Sequence, residues 1–383
     1  MIIKKIYIRN FRNIEEAELL FSDSCNIFYG DNAEGKTNLL EAVSLCIGKS
    51  FRNSKPYSFI PFDSDKKPQI KLWYESDNYI GKENLIEYNF EDNKALIKTN
   101  GISQKNAIDL YGEMKYVFFV PEQLLMIKGV PELRRDYIDC IVMLQNKSHK
   151  KIMESYREIL NHRNVLVNEI IEGRANSSML SVWDDFLVKQ GVNLTFGRIK
   201  YLSMIKEFAK EFYHLISGGE EILDIYYNSS VFGKIFDINT VDFNDKCTIY
   251  DVYSKKLEVL NALNDFCGIF RTNIGAHRDD IIFMINGKNA REFGSQGQLR
   301  SIYLVLKLAE ARMIKEYNKE TPVLLLDEAL SELDGGRRNF VINNFNGAQV
   351  FLTSCNKGDL KRVSKSKIWK VRGGRFELYT LGQ

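Results

Sequence analysis

The chain has 383 residues, of which 44% are hydrophobic and 27% are charged, a balance typical of a globular protein that folds in water. This length exceeds one ordinary compact core and predicts two domains. No stretch approaches about 18 consecutive apolar residues, so we expect no transmembrane helix. The first residues alternate apolar and polar side chains, which predicts a strand and not a secretory signal.

The six cysteines and four histidines are dispersed along the chain. No cysteine pair has CxxC spacing, which excludes the usual zinc motifs and argues against a disulfide scaffold. We therefore expect reduced thiols, a cytoplasmic location and no metal site made of protein side chains alone. The cysteines are Cys25, Cys46, Cys140, Cys247, Cys267 and Cys355.

The formal net charge of +3 gives the whole molecule no strong field for polyanions. Residues 357–375 depart from this balance, because they hold eight basic residues and one acid. Such a segment is either an ordinary solvated surface or a patch that contacts phosphates. Further candidate phosphate contacts, chosen from charge alone, are Lys128, Arg134, Arg135, Lys150 and Lys151.

Strand patterns dominate the first third of the chain. They are alternating or short apolar runs, and they cover residues 2–21 (two strands), 26–29, 68–100 and 117–120. A helical pattern over residues 38–47 follows a glycine-rich loop. The pair Asn100-Gly101 is a hairpin signal.

The pattern becomes helical from about residue 123 to residue 216. About 95 residues, at roughly 1.5 Å each in a helix, make a packed arm and not a long rod. Later patterns predict a strand at 222–227, a helix near 250–270 and a hairpin at Gly373-Gly374. We predict an α/β fold of mixed sheets around a phosphate-loop core, with an inserted all-helical arm. The predicted parts are an N-terminal lobe (1–122), the arm (123–221) and a C-terminal lobe (222–383).

Residues 30–37 match the pattern GxxxxGK[ST]. Glycines in such a loop let successive backbone N–H groups point at phosphate oxygens, and the helix that follows adds partial positive charge. Lys36 would bridge the β- and γ-phosphates, and the Thr37 hydroxyl would ligate Mg²⁺. The octet predicts a nucleotide site made of Gly30, Asp31, Asn32, Ala33, Glu34, Gly35, Lys36 and Thr37.

Four apolar residues at 323–326 are followed by Asp327 and Glu328. Such a run is typical of a central parallel strand, and a carboxylate at its C-terminal end lies where open α/β sheets bind ligands. Asp327 would hold Mg²⁺, directly or through water, and Glu328 would orient and deprotonate the attacking water. Alone the pair could be structural, but with the octet it predicts hydrolysis of a bound nucleotide, with ATP and Mg²⁺ as cofactors.

Residues 293–298 precede a long helical pattern that continues to Met313. Ser295 is a typical N-cap residue, and the glycines on either side of it permit close approach of the backbone to an anion. This segment is either a capped helix start without a ligand or a contact to an anion.

These segments together resemble the RecF family of bacterial DNA replication and repair proteins, which are ABC-type ATPase heads of the SMC-like group. The resemblance spans nearly the whole chain. It rests on GDNAEGKTNLLEA, FGSQGQLR and LLLDEALSELD, and also on IYIRNFRNI, VPEQLLMIKGVPELRRDYID and NIGAHRDDIIFMING. The phosphate loop is widely shared, whereas SQGQ and the HRDD segment followed by ING are more distinctive.

The resemblance implies an ABC-type head in which two ATP molecules are buried between two copies of the chain. Residues 295–298 would contact the γ-phosphate held by the other copy, and Asp334 would belong to the loop that crosses this interface. Glu122 or Gln123 would couple the γ-phosphate to the helical arm. The nucleotide contacts that the resemblance adds to the octet are Arg12, Asn38, Ser295, Gln296, Gly297, Gln298, Asp334 and Thr353.

The resemblance also implies a function. ATP binding would drive dimerisation on DNA, and weak, DNA-stimulated hydrolysis to ADP and phosphate would reset it. The DNA would be gapped or junction duplex, and also single strands. RecR and RecO would be partners in loading RecA at gaps, in recombinational gap repair, replication restart and the SOS response.

Two departures from the family pattern concern the site. Many ABC ATPases have a switch histidine where this chain has residues 352–355, LTSC, so Thr353 or Ser354 would serve or the role is missing. Ala276 stands where we expect a proline before His277, which leaves His277 either functional or structural.

Other classes of protein fit the sequence less well. The main alternative is a structural SMC-like ATPase that tethers chromosomes, but the arm is short for a long coiled coil and no zinc hook is present. An ATPase coupled to a nuclease would need an acidic domain after the head, and only about 55 residues follow Glu328. A small-molecule kinase would not need SQGQ, and a transporter subunit usually carries the switch histidine.

Overall fold

The computed structural model describes residues 1–48, 59–60, 66–76, 83–91, 94–104, 110, 113–120, 125–232, 246–267, 272–330, 333–345, 347–356 and 366–379. The chain forms two compact units. The first comprises Met1–Gln123 and Leu304–Gln383, and the second comprises Leu124–Tyr303. The lobe and arm boundaries given above from the sequence stay a prediction.

Strands and helices alternate along the described chain, and the predicted α/β class is confirmed. In chain order the elements are β1 (Ile2–Phe11), β2 (Ile14–Leu20), β3 (Cys25–Tyr29), α1 (Lys36–Cys46), β4 (Gln69–Glu75), β5 (Glu83–Glu91), β6 (Lys94–Thr99), β7 (Ile102–Gln104), β8 (Tyr116–Phe119), α2 (Leu125–Lys128), α3 (Pro131–Gln145), α4 (Ser148–Ile171), α5 (Leu180–Ile216), β9 (Leu223–Asn228), α6 (Lys246–Cys267), β10 (Asp280–Ile285), β11 (Lys288–Asn289), α7 (Ala290–Phe293), α8 (Gln296–Asn318), β12 (Val323–Leu326), α9 (Gly335–Asn343), β13 (Val350–Ser354), β14 (Ser366–Arg372) and β15 (Arg375–Tyr379).

The first sheet of the first unit is antiparallel, with the order β2-β1-β4-β5-β6-β7. Its strands alternate as the sequence predicts, and Ile6 and Ile8 of β1 are fully buried. The predicted hairpin at Asn100-Gly101 joins β6 to β7, and both turn residues have positive φ, 51° and 81°. Two such residues are what a two-residue hairpin turn requires.

The second sheet of the first unit has the order β15-β14-β3-β13-β12-β8. Neighbouring strands from β14 to β8 run parallel, and β15 is an antiparallel edge strand. All four residues of β12 are buried, as expected for a central strand. Because parallel strands end at the same edge, the residues that follow β3, β12 and β13 meet there.

The second unit combines helices with a small sheet. The 37-residue helix α5 packs against α3, α4, α6 and β9, which makes the helical part a packed arm. The sheet has the order β11-β10-β9 and is antiparallel. The apolar core between α4, α5 and α6 includes Tyr156, Leu187, Val188 and Tyr253.

None of the helices in the described part of the chain combines the length and the apolar character that a membrane span requires.

Candidate nucleotide site

The glycine-rich loop lies between β3 and α1, as the sequence predicts. Ala33 and Gly35 have φ values of 66° and 111°. A backbone of this left-handed kind lets neighbouring N–H groups line a concave surface that suits an anion. A Cβ atom on Gly35 would lie 2.8 Å from Asn13 Oδ1, and one on Gly30 would lie 2.3 Å from the Val371 carbonyl oxygen. Packing against the backbone therefore requires a glycine at position 30, and the left-handed φ favours one at position 35.

Lys36 is the first residue of α1, and its side chain is only 3% exposed. Its Nζ atom donates to the carbonyl oxygens of Gly30, at 2.7 Å, and Asp31, at 2.8 Å. The same atom lies 3.2 Å from Cys355 Sγ and 3.5 Å from Glu328 Oε1. The ammonium is therefore held at the loop itself.

The Asp327 carboxylate follows β12 and is bound by two hydroxyls. Thr37 Oγ1 donates to Asp327 Oδ1 at 2.9 Å, and Thr353 Oγ1 donates to the same oxygen at 2.8 Å. Thr353 Oγ1 also accepts from the backbone N–H of Glu328 at 2.8 Å. The structure thus brings together Thr37, Asp327 and Thr353, which the sequence places about 290 and 26 residues apart.

Glu328 has a left-handed backbone with φ of 49°. This conformation is uncommon for a residue with a Cβ atom, costs on the order of 1–3 kcal/mol, and is concentrated at functional sites. The Glu328 side chain is 34% exposed and its carboxylate lies beside Lys36 and Cys355. The strained turn therefore places a partly exposed carboxylate over the phosphate loop.

Cys355 is a member of this cluster that sequence reasoning missed. Its Sγ atom lies 3.1 Å from Glu328 Oε1 and 2.8 Å from Asn32 Oδ1, besides the contact to Lys36. Burial raises the pKa of the thiol, and its hydrogen bond to Glu328 raises that pKa further. The available signal was its position: it follows β13, which ends at the same sheet edge as β3 and β12.

Arg12 has a left-handed backbone, φ 52°, in the turn between β1 and β2. Its Nε atom lies 2.5 Å from Oε2 of Glu41, a fully buried carboxylate on α1, and its guanidinium lies over the Phe59 ring. In the same region Asn38 Nδ2 donates to Asn13 Oδ1 at 2.8 Å. The roles of Arg12 and Asn38 as nucleotide contacts stay predictions.

The outer part of the loop faces solvent. Asp31, Asn32 and Ala33 are exposed, and Glu34 is half-buried. The Glu34 carbonyl oxygen accepts from the N–H of Gly374 at 2.8 Å, and its carboxylate accepts from the N–H of Gly373. The predicted β14–β15 hairpin turn therefore supports the loop from outside.

The segment 295–298 lies in the second unit, at the start of α8. Gln298 N–H donates to Ser295 Oγ at 3.2 Å, and Ser295 N–H donates to Gln298 Oε1 at 2.8 Å. This reciprocal pair is a capping box, and it confirms Ser295 as the N-cap. Gln296 is exposed, Gly297 is half-buried, and Gln298 Nε2 donates to Glu221. A contact of these residues to γ-phosphate stays a prediction.

Asp334 is the N-cap of α9. Its carboxylate accepts from the backbone N–H of Arg337 at 2.9 Å and forms an ion pair with the Arg337 guanidinium. The backbone N–H of Arg337 is the main cause of a lowered pKa at Asp334. Its predicted place in an interface stays a prediction, and the nearby residues 331–332, like Glu122 and Gln123, lie outside the described residues.

Two candidates from charge or motif have structural contacts. Arg134 is 2% exposed and binds both carboxylate oxygens of Asp280, at 2.6 and 3.0 Å, so the prediction that it contacts phosphate is wrong. His277 bonds the Tyr156 hydroxyl at 2.8 Å and the Thr272 carbonyl at 3.0 Å, the contacts of a packed structural residue. Half of the basic segment, at 357–365, lies outside the described residues.

Known proteins are similar to this chain over nearly its whole length. The family model of the RecF/RecN/SMC N-terminal domain matches residues 2–375. The DNA replication and repair protein RecF of Clostridium acetobutylicum is 36% identical over 383 residues, 99% of this chain and 100% of that protein. The chain belongs to the RecF family. The RecF protein of Lachnospira eligens is 35% identical over 382 residues, 98% of each chain.

Solved structures of the family have the same fold. A structure of the recombination mediator protein RecF with ATP, in the RecFOR pathway, is 31% identical, covers 99% of this chain and 98% of that one, and has a TM-score of 0.84. An SMC head bound to a winged-helix domain of ScpA is 14% identical, with a TM-score of 0.57 over 100% and 98% of the two chains. This second likeness shows the fold alone. The predicted ABC-type head fold is confirmed.

Proposed function

We propose that this protein is an ATP-hydrolysing DNA replication and repair protein whose dimerisation on DNA is driven by ATP. The observation that carries the proposal is the convergence of Lys36, Asp327 and Glu328 at one edge of the parallel sheet, around a loop shaped for phosphates. Relatives that are 35% and 36% identical over nearly the whole chain are named DNA replication and repair proteins. The proposal is therefore supported by the geometry of the site and by sequence similarity to named proteins.

Each charged group has a distinct task in this proposal. Lys36 would exchange its two backbone carbonyl acceptors, Gly30 and Asp31, for oxygens of the β- and γ-phosphates. Glu328 would accept a proton from the attacking water, for which a carboxylate within hydrogen-bond reach of that water is needed. The strained turn at Glu328 keeps its carboxylate at the loop, so little reorientation would be required.

Thr37 and Asp327 fit a magnesium ion, because both present hard oxygen atoms and these atoms lie 2.9 Å apart. The ion would neutralise charge on the β- and γ-phosphates. Thr353 holds the second position on Asp327 Oδ1 and would keep the carboxylate oriented. Among the residues that the structure describes, no three histidine, cysteine or acidic side chains form a metal site of their own. Phosphate and water oxygens would therefore supply the remaining ligands.

The site is proposed to be complete only in a dimer. Ser295 and Gln296 are exposed at the start of α8, where the helix N-terminus favours an anion. In the proposed dimer, residues 295–298 of one copy would contact the γ-phosphate bound by the other, and Asp334 would lie in the same interface. ATP would then act as a clamp between two copies, and slow hydrolysis would release it.

DNA, RecR and RecO are the proposed partners, and RecA loading at gaps is the proposed outcome. A solved relative, 31% identical to this chain, is described as a recombination mediator of the RecFOR pathway, which supports these partners. Within the described residues, Lys128, Arg135, Lys150 and Lys151 remain candidate phosphate contacts, whereas Arg134 is buried and no longer a candidate. The proposed compartment is the cytoplasm.

Binding to DNA tests this function most directly. We expect gapped duplex to bind more tightly with ATP than without it, and expect the affinity to fall steeply with salt, since phosphate contacts release counterions. Fluorescence anisotropy on a gapped duplex, with ATP hydrolysis measured in parallel, gives both readouts. Equal and negligible binding with and without ATP would defeat the repair function, while an ATPase signal alone would favour a different ATPase.

A further inference from the structure

Thr353 and Ser354 at the end of β13, and Cys355 after it, have different partners near the nucleotide site. Thr353 bonds Asp327 and the backbone of Glu328, as described above. The Ser354 hydroxyl exchanges hydrogen bonds with the backbone of Asn356, at 2.9 and 3.3 Å. Cys355 contacts the Lys36 ammonium, which is proposed to bind the γ-phosphate, and the Glu328 carboxylate, which is proposed to act on water.

We propose that Cys355 is a positioning residue for ATP hydrolysis, whose thiol orients the Glu328 carboxylate at the phosphate loop. This inference rests on the proposed ATPase function. It assigns to Cys355 the place for which the sequence offered Thr353 or Ser354. Thr353 is instead the residue that holds Asp327.

The hydrogen-bond directions around the thiol support this role. Lys36 is a donor only, so the sulfur accepts from it, and the single S–H proton is left for an acceptor. Two acceptors are within reach, Glu328 Oε1 at 3.1 Å and Asn32 Oδ1 at 2.8 Å. A carboxylate is the stronger acceptor, because hydrogen bonds to charged groups exceed neutral ones. The thiol therefore acts as a donor to the general base.

Glu328 has reason to need such a partner. Its side chain is 34% exposed, and a glutamate has several rotatable bonds whose freedom opposes any single orientation. When Lys36 turns to a phosphate, the 3.5 Å ion pair that now restrains Glu328 weakens. The hydrogen bond from the thiol does not depend on Lys36, so it would continue to keep the carboxylate facing the position of the attacking water. Its loss should slow the chemical step more than it changes nucleotide affinity.

The test compares three substitutions in the full-length protein. In Cys355→Ala we expect kcat to fall about fivefold, the effect of a hydrogen bond of about 1 kcal/mol, with the Kd for a fluorescent ATP analogue within about twofold. Cys355→Ser keeps a donor and should recover most of the rate. Cys140→Ala removes another partly exposed thiol, on α3, and should match the parent. Equal loss in the alanine and serine variants, or a loss of affinity that accounts for the rate, would overturn the proposal.

A double substitution separates this inference from the function on which it rests. If the thiol acts through the carboxylate, Cys355→Ala should cause no further loss of single-turnover rate in a Glu328→Gln background, because coupled residues are not additive. Independent, additive losses would overturn the positioning role. A parent that does not hydrolyse ATP would defeat the proposed function instead. A parent that does, with Glu328→Gln inactive and Cys355→Ala unchanged, would defeat only the assignment of Cys355.

Discussion

Two clusters of charged side chains, one in each unit, have different kinds of partner. In the first unit, Lys36 and Glu328 lie 3.5 Å apart, Lys36 donates to two backbone carbonyls, and both side chains contact the Cys355 thiol. In the second unit, Asp139 binds Arg198 through two hydrogen bonds, at 2.8 and 2.7 Å, and His149 through a third at 2.9 Å. Lys36 can exchange its backbone acceptors for phosphate oxygens of a ligand, whereas the charged groups of the second region are paired with one another.

The backbone beneath the two regions differs as well. Glu328 has a left-handed φ of 49° after a buried strand, whereas Asp139 lies within the regular helix α3. Burial alone would raise the pKa of the Asp139 carboxyl, but the Arg198 guanidinium and His149 beside it lower that pKa to about 2. A dense cluster of charges is therefore no sign of function by itself. Strain and exchangeable contacts distinguish the candidate nucleotide site from the structural network.

Glu328→Gln gives the largest expected effect. Loss of the general base should lower ATP turnover by about 10²- to 10⁴-fold while ATP still binds, so an ATP-bound dimer should accumulate. Phosphate release measures the first result, and light scattering after gel filtration measures the second. Glu316→Gln, which removes an exposed carboxylate paired with Arg312 on α8, is the matched control. Turnover at the parent rate would show that Glu328 is not the base.

Asp139→Asn tests the structural side of the comparison. The change leaves the Arg198 guanidinium buried without a full counter-charge, which should destabilise the protein by about 3–5 kcal/mol. Urea unfolding followed by tryptophan fluorescence measures this loss. Glu154→Gln removes an exposed ion pair with Lys150 on α4 and should cost less than about 1 kcal/mol. Comparable losses in the two variants would mean that the buried network does not stabilise the second unit.

Lowering the pH should weaken the same network by protonating Asp139, with a smaller loss of stability than the substitution causes. The Asp139 pKa is lowered from 3.8 to about 2 in the folded protein, so its contribution to stability is present above about pH 4 and is lost as the pH falls towards 2. The shift corresponds to about 2 kcal/mol. Unfolding midpoints measured between pH 5 and pH 2 should therefore fall more steeply in the parent than in Asp139→Asn. Parallel curves would contradict the lowered pKa.

The sequence predicted the position of the phosphate loop in the fold but gave no sign of the structural network. The octet at 30–37 and the buried strand before Asp327 predicted where the phosphate loop and the carboxylates would meet, because each motif has a fixed spacing and a regular element beside it. The prediction for Arg134 was wrong, because charge alone does not reveal an acidic partner, Asp280, 146 residues away in the sequence. Cys355 was missed because its place at the site depends on the order of the strands, in which β13 lies between β3 and β12.

Ser295→Ala is expected to change stability only slightly, and it tests whether a residue of the second unit takes part in nucleotide binding. Ser295 lies in the second unit, yet it is predicted to act on a nucleotide bound by another copy. As the N-cap of α8 it contributes about 1 kcal/mol, so its loss should lower the unfolding midpoint slightly. Asn176→Ala removes another N-cap of this unit, that of the short 3-10 helix at Ser177–Met179.

A second measurement, of ATP-dependent dimerisation, should distinguish the two N-cap variants. If Ser295 only caps a helix, both variants should form the ATP-dependent dimer as the parent does. If it also contacts the γ-phosphate across the proposed interface, Ser295→Ala should weaken that dimer by several-fold, while Asn176→Ala leaves it unchanged. Sedimentation at increasing protein concentration, in a Glu328→Gln background that keeps ATP intact, measures the dimer constant. Equal constants would confine Ser295 to its structural role as the N-cap of α8.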